Sequence, residues 1–140
     1  VFYVNVLVID GQGGGLGKQL VAAIRSACPQ AAITAVGTNS LATNVMLKAG
    51  ADNAATGENA VVVGCRHADI IIGPIGIVIA DALFGEITPS MAVAVGQSDA
   101  KRILIPMNHC NNLIAGMAEQ SVGRLVQSAV DQLKDILAQR

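Results

Sequence analysis

Four short apolar runs, each followed by a stretch of helical periodicity, confine this chain to one class of fold. They are "VNVLVI" at 4–9, "AAITAVG" at 31–37, "ADIIIG" at 68–73 and "KRILIP" at 101–106. None alternates apolar with polar residues, as a strand with one wet face must. Strands buried on both faces belong to parallel sheets, and parallel neighbours need a crossover of a dozen or more residues, usually a helix.

The intervening segments have that character. Leu16, Leu20, Ile24 and Ala27 recur at helical spacing until Cys28 and Pro29, where the proline stops the helix. Asn39 or Ser40 caps a helix that carries Leu41, Val45 and Leu47 as far as Gly50. A short, poor strand near 53–56 precedes a helix from Gly57 to Arg66, in whose first turn Glu58 complements the dipole. "IGIVIADALF", 75–84, is apolar on nearly every side apart from Asp81, which predicts a helix at the centre of the protein or between subunits. Thr88 caps a further helix that opens on Pro89, the position proline favours. Only about five residues separate the strand at 101–106 from "NLIAGMA", too few for a crossover, so 112–118 is expected as an antiparallel edge strand. The last helix carries Val122, Leu125, Val126, Ala129, Val130, Leu133, Ile136 and Leu137 on one stripe.

Strands alternating with helices predict an α/β fold: a three-layer sandwich around a doubly wound, mostly parallel sheet in the order 3-2-1-4-5, with a sixth, antiparallel strand at its edge. The length of 140 residues suits a single Rossmann-like domain over 1–140. In such sheets a ligand lies at the carboxyl ends of the strands where the winding reverses, between strands one and four. That puts "DGQGGGLGK", 10–18, opposite "GPIGI", 73–77.

The first of these loops has glycine at 11, 13, 14, 15 and 17. Glycine at that density lets backbone approach a ligand, and a strand-to-helix joint presents free N–H groups to an anion. Three templates fit imperfectly. For the phosphate loop, Gly17 and Lys18 fit but Gln12 and Gln19 replace its first glycine and its magnesium-binding hydroxyl. For G-x-G-x-x-G the third glycine falls on Leu16, whereas Gly11, Gly14 and Gly17 meet the looser G-x-x-G-x-x-G and resemble short-chain dehydrogenases and sugar-nucleotide epimerases. Their Tyr-x-x-x-Lys pair is absent, since Tyr3 is the only tyrosine. The end of the second strand reads Gly37-Thr38-Asn39-Ser40, with neither the acid that holds an adenosine ribose nor an arginine for a 2′-phosphate. Candidate binding residues are therefore Asp10, Gly11, Gly13, Gly14, Gly15, Gly17, Thr38, Asn39, Gly73, Pro74, Gly76 and Asn108, for a nucleotide, NAD(P) or another small phosphorylated ligand. Tight turns and close helix packing are the competing explanation of the glycines.

Several classes are disfavoured. A net charge of −1 leaves no basic footprint for duplex nucleic acid, and Phe2, Tyr3 and Phe84 are too few rings to stack single-stranded bases. The longest uncharged apolar run, 70–80, is about half of a membrane span. The start of the chain lacks a basic lead and reads as a strand rather than a signal peptide, and three cysteines form no disulfide framework, so a cytoplasmic protein is expected. Cys65, His67, His109 and Cys110 have poor spacing for zinc, and no metal is expected. Charged residues are only 14% against about 25% in an average soluble protein, which leaves apolar surface uncovered and predicts a homo-oligomer, most simply a dimer, through the 75–84 helix or the C-terminal helix.

Taken together, "DGQGGGLGK", "GTNSLAT", "LKAGADNAATGENA", "ADIIIGPIGI", "GEITP" and "RILIPMN" resemble an uncharacterised bacterial family classed as a domain of unknown function. The resemblance spans nearly the whole chain and implies no activity or catalytic residue. Three functions stay open: a binding module, a small enzyme acting on a nucleotide-type substrate or NAD(P) with Asp10, Asn39, Asn108 and His109 around the crevice, or a purely structural oligomer subunit. The poverty of convergent titratable groups favours the first.

Overall fold

The computed structural model describes residues 4–107 and 111–139. Five strands, β1 (Asn5–Asp10), β2 (Ala32–Gly37), β3 (Asn53–Thr56), β4 (Ile70–Pro74) and β5 (Lys101–Ile105), form one sheet in the order β3-β2-β1-β4-β5. Every pair is parallel; Asn5 is level with Ala32, Val6 with Ile70, and Ile70 with Lys101. The helices are α1 (Gly15–Ala27), α2 (Ser40–Lys48), α3 (Glu58–His67), α4 (Pro89–Gln97) and α5 (Val122–Ala138). With α1, α2 and α5 on one face and α3 and α4 on the other, the architecture is the expected three-layer α/β sandwich.

The sheet has two dry faces, and this is why its strands lack polar alternation. Val6, Val8, Ile70 and Ile72 enter the core beneath α1 and α5, while Leu7, Ile9 and Ile71 between them enter the one beneath α3 and α4. Leu20, Val21 and Ile24 from α1 and Ala129, Val130 and Leu133 from α5 complete the first core. α1 ends at Ala27, just before Pro29. Arg25 in its last turn clamps the nearby loops, donating from Nε to the Gly50 carbonyl at 3.1 Å and pairing through Nη2 with Asp52 at 2.5 Å.

Helix starts follow local chemistry. Asn39 Oδ1 accepts the Ala42 N–H at 2.9 Å, capping α2, and Thr88 Oγ1 accepts the Met91 N–H at 3.2 Å ahead of Pro89. The Thr88 hydroxyl also donates to Glu58 Oε1 at 2.6 Å, tying the starts of α3 and α4 together.

In α2, Ala42 and Met46 are buried, while Leu41 and Leu47 face outward. Two expectations are corrected. Residues 75–84 are not an α-helix. A 3₁₀ turn at Ile75–Val78 leads into a compact loop with positive φ at Asp81, Leu83, Phe84 and Gly85. That loop is closed by Asp81 N–H to the Ile87 carbonyl at 2.7 Å and Ile87 N–H to the Ala82 carbonyl at 3.1 Å. It buries Ile77, Ala82, Leu83 and Ile87 and turns Phe84 wholly outward, so the apolar run serves a folded loop rather than a cylinder. Finally, 112–118 are irregular, with a turn at 115–116, instead of an antiparallel edge strand; Gly116 has φ 78° and Leu113 is exposed, and all pairing in the described sheet is parallel. Among the described residues no helix is long and apolar enough to cross a membrane.

Candidate functional site

The carboxyl ends of β1 and β2 carry the densest set of polar contacts between distant segments. Asp10, the last residue of β1, is the one buried charged side chain among the described residues, and its Oδ2 accepts the Gly17 N–H at 2.7 Å. A carboxylate thus satisfies one of the orphan donors of α1 and complements the positive end of the helix dipole. Burial pushes the Asp10 carboxyl above its ordinary range; the N–H groups of Gly17 and Gly11 pull against it, and the charge of Glu86 adds to it.

The glycines divide into two kinds. A Cβ on Gly11 would lie 2.6 Å from Thr38 Oγ1, one on Gly14 would lie 2.7 Å from the Ala42 Cα with φ already at +75°, and one on Gly17 would lie 2.8 Å from the Asp10 Cβ. These three let α1 and its loop pack against α2 and the strand ends. Gly13 and Gly15 are different. A Cβ on either meets nothing within 4 Å, and neither has positive φ. Packing and backbone conformation both leave them unexplained.

Several loop donors are already engaged: Gly14 N–H to the Gly11 carbonyl at 2.9 Å, Gln12 N–H to Glu86 Oε1 at 2.9 Å, and Gly17 N–H to Asp10. Among the described residues the N–H groups of Gly13, Gly15 and Leu16 have no protein acceptor, and both Gly13 and Gly15 are exposed. They stand at the start of α1, where an anion is best received.

Glu86 was not singled out by sequence. The loop after β4 carries it across to the end of β2, where its Oε1 accepts the Thr38 hydroxyl, the Asn39 Nδ2–H at 2.9 Å and the Gln12 N–H. Asn39 Nδ2 also donates to the Gln12 carbonyl at 2.9 Å. Desolvation pushes the Glu86 carboxyl up, but the donors Thr38, Gln12 and Asn39 together outweigh it and hold the group below the usual carboxylate range. The signal available was topological: loops after β1 and β4 must lie side by side at the switch point, so an acid in the second can reach the first.

Residues 5–138 match the family described as Domain of unknown function (DUF3842). The chain belongs to this family. No curated protein matches it. Among solved structures it is similar to a dodecameric FMN-dependent UbiX-like decarboxylase from Escherichia coli O157:H7, with 14% identity over 98% of this chain and 94% of that chain and a TM-score of 0.43. A likeness of that degree carries no argument about ligand, reaction or assembly.

The other sequence candidates of this DUF3842 chain fall in varied places. Gly73 and Pro74 are buried at the end of β4, where a Cβ on Gly73 would lie 2.4 Å from the Ile9 carbonyl oxygen, and Gly76 packs against Ala82. Thr38 and Asn39 join the Glu86 cluster. Asn108, His109 and Cys110 lie outside the described residues. Cys65 and His67 belong to the end of α3, and burial pushes the Cys65 thiol up to about 11 against the pull of Arg102, so it stays protonated. Among the described residues no three His, Cys, Asp or Glu side chains gather as a metal would require. A hollow of about 700 Å³ opens between α3 and α4, lined by Val62, Cys65, Val93 and Gln97.

Proposed function

We propose that this chain binds a nucleotide, dinucleotide or related phosphorylated metabolite, with a phosphate held by the N–H groups of Gly13, Gly15 and Leu16 at the start of α1. The observation that carries this is the pair of glycines, 13 and 15, whose missing side chains face open space and whose backbone needs no glycine. A bare backbone beside unengaged donors is what a phosphate requires, because its oxygens must come within about 3 Å of nitrogen. Lys18, exposed on the first turn of α1, adds a screened positive charge. Asp10 Oδ2 and Glu86 Oε1 both serve as acceptors for fixed donors of the surrounding loops, a positioning role that favours a binding module over an enzyme.

A thermal-shift screen with nucleoside diphosphates, dinucleotides, coenzyme A, sugar phosphates and inorganic phosphate tests it. A ligand at about a hundred times its Kd should add about 2.7 kcal/mol of stability, a shift of several degrees. No shift with any phosphorylated compound at millimolar concentration refutes the proposal.

We further propose that the chain works as a homo-oligomer, most simply a dimer. Phe84 is 98% exposed at the tip of the loop after β4, and α4 carries no charged residue while exposing Val93. Light scattering at micromolar concentration is expected to give twice the chain mass, and Phe84→Ser is expected to weaken association. A monomeric parent protein contradicts this.

A further inference from the structure

The end of β2 has no acid of its own, yet the fold delivers one there. Glu86 arrives from the loop after β4, and three donors from two other segments, Gln12 N–H, Thr38 Oγ1 and Asn39 Nδ2, converge on its Oε1. Gly11 is required for this approach, since a Cβ on it would lie 3.1 Å from that oxygen and 2.6 Å from Thr38 Oγ1. The other oxygen, Oε2, accepts no hydrogen bond among the described residues. The result is an ionised, half-buried carboxylate with one oxygen locked and one open, fixed where a doubly wound fold receives the sugar of a nucleotide whose phosphate lies on α1.

We propose that Glu86 accepts hydrogen bonds from the ribose 2′,3′-diol of the bound nucleotide and selects ligands with a free 2′-hydroxyl over 2′-phosphorylated ones. This rests on the nucleotide reading above and narrows it. A carboxylate oxygen is a strong acceptor for a diol. A 2′-phosphate would instead place two negative charges against Glu86, with Asp10 close behind and none of the described hydrogen bonds to Glu86 coming from a lysine or arginine. A carboxylate merely latching the loop after β4 to the glycine loop would make the same internal bonds but would not discriminate between sugars.

Titration calorimetry with ADP, GDP and UDP, with 2′,3′-dideoxy-ADP against ADP, and with adenosine 2′,5′-bisphosphate against AMP separates these cases. The ribonucleotide the protein prefers is expected to bind at least about tenfold more tightly than its dideoxy or 2′-phosphorylated counterpart, the worth of one charge-assisted hydrogen bond. Glu86→Gln, which keeps an acceptor for Gln12 and Thr38, is expected to fold normally and to lose most of the discrimination against the 2′-phosphate. Equal binding of ADP and dideoxy-ADP by the parent protein overturns the role of Glu86 and leaves the phosphate site standing. A uniform loss across all ligands in Glu86→Gln, with a lowered Tm, identifies a latch and also overturns it. If inorganic or sugar phosphates bind and no nucleotide does, the nucleotide reading fails and the assignment of Glu86 with it.

Discussion

Gly15→Val is expected to fold with the Tm of the parent protein and to lose phosphate-ligand affinity by about a hundredfold, whereas Gly14→Val, one residue earlier, is expected to lose about 3–5 kcal/mol of stability. At Gly14 the valine would inherit φ +75° and a Cβ 2.6 Å from Val45 Cγ2 and 2.7 Å from the Ala42 Cα, so α1 and α2 must part. At Gly15 the same side chain meets nothing within 4 Å. It costs little in the free protein and covers the donors a ligand needs. Thermal unfolding of both variants, with and without the best compound from the screen, reads the two effects separately. A Gly15→Val protein that is still stabilised as the parent is would reduce the glycine loop to a packing turn.

Asp10→Ala is expected to cost about 3 kcal/mol, from a buried Gly17 N–H left without an acceptor and a helix start stripped of its counter-charge. Asp10→Asn keeps an acceptor and should be far milder, with a characteristic pH dependence. Because the folded Asp10 carboxyl titrates above its unfolded value, its contribution to stability is fully present below about pH 4 and is lost as pH rises through the folded pKa. Asparagine has no such loss. The stability of Asp10→Asn relative to the parent should therefore improve between pH 4 and neutrality, a trend readable by urea unfolding at several pH values. Asp52, held below the ordinary range by the Ile33 N–H and Arg25, is the opposite case: its contribution is present above about pH 4 and lost as pH falls. A pH-independent difference between Asp10→Asn and the parent would mean that burial does not disfavour the charge.

The layers, strand order and most helix ends were legible because they follow from short-range chemistry. A run such as Ile70–Gly73 with no polar face has few homes outside a parallel sheet, and Thr88 before Pro89 is a helix start in almost any context. The segment after β4 was not legible. An all-apolar run looks alike whether it is a buried helix or a folded loop, and the left-handed conformations of Asp81, Leu83 and Phe84 come from tertiary closure that no local rule predicts. Glu86 was hidden for the same reason, since its meaning depends on where that loop lands. The two kinds of glycine in 11–17 also look identical in sequence; only the neighbours supplied by α2 and the strand ends distinguish those that pack from those that face open space.

The sheet order also bears on the chain's synthesis. β1 sits at the centre of the finished sheet, yet its partner on one side, β4, is translated long after it; the Asn5 N–H must wait for Asp69, 64 residues on, to find its acceptor. Until then a ribosome-bound chain holding β1, β2 and β3 exposes the full edge of its most apolar strand. Closing so long a loop is slow relative to forming local crossovers, and bare edges are where nascent chains pair wrongly. For this architecture the hazard of aggregation therefore belongs to the interval before β4 emerges, and a burst of slow translation just upstream of residue 70 would prolong it.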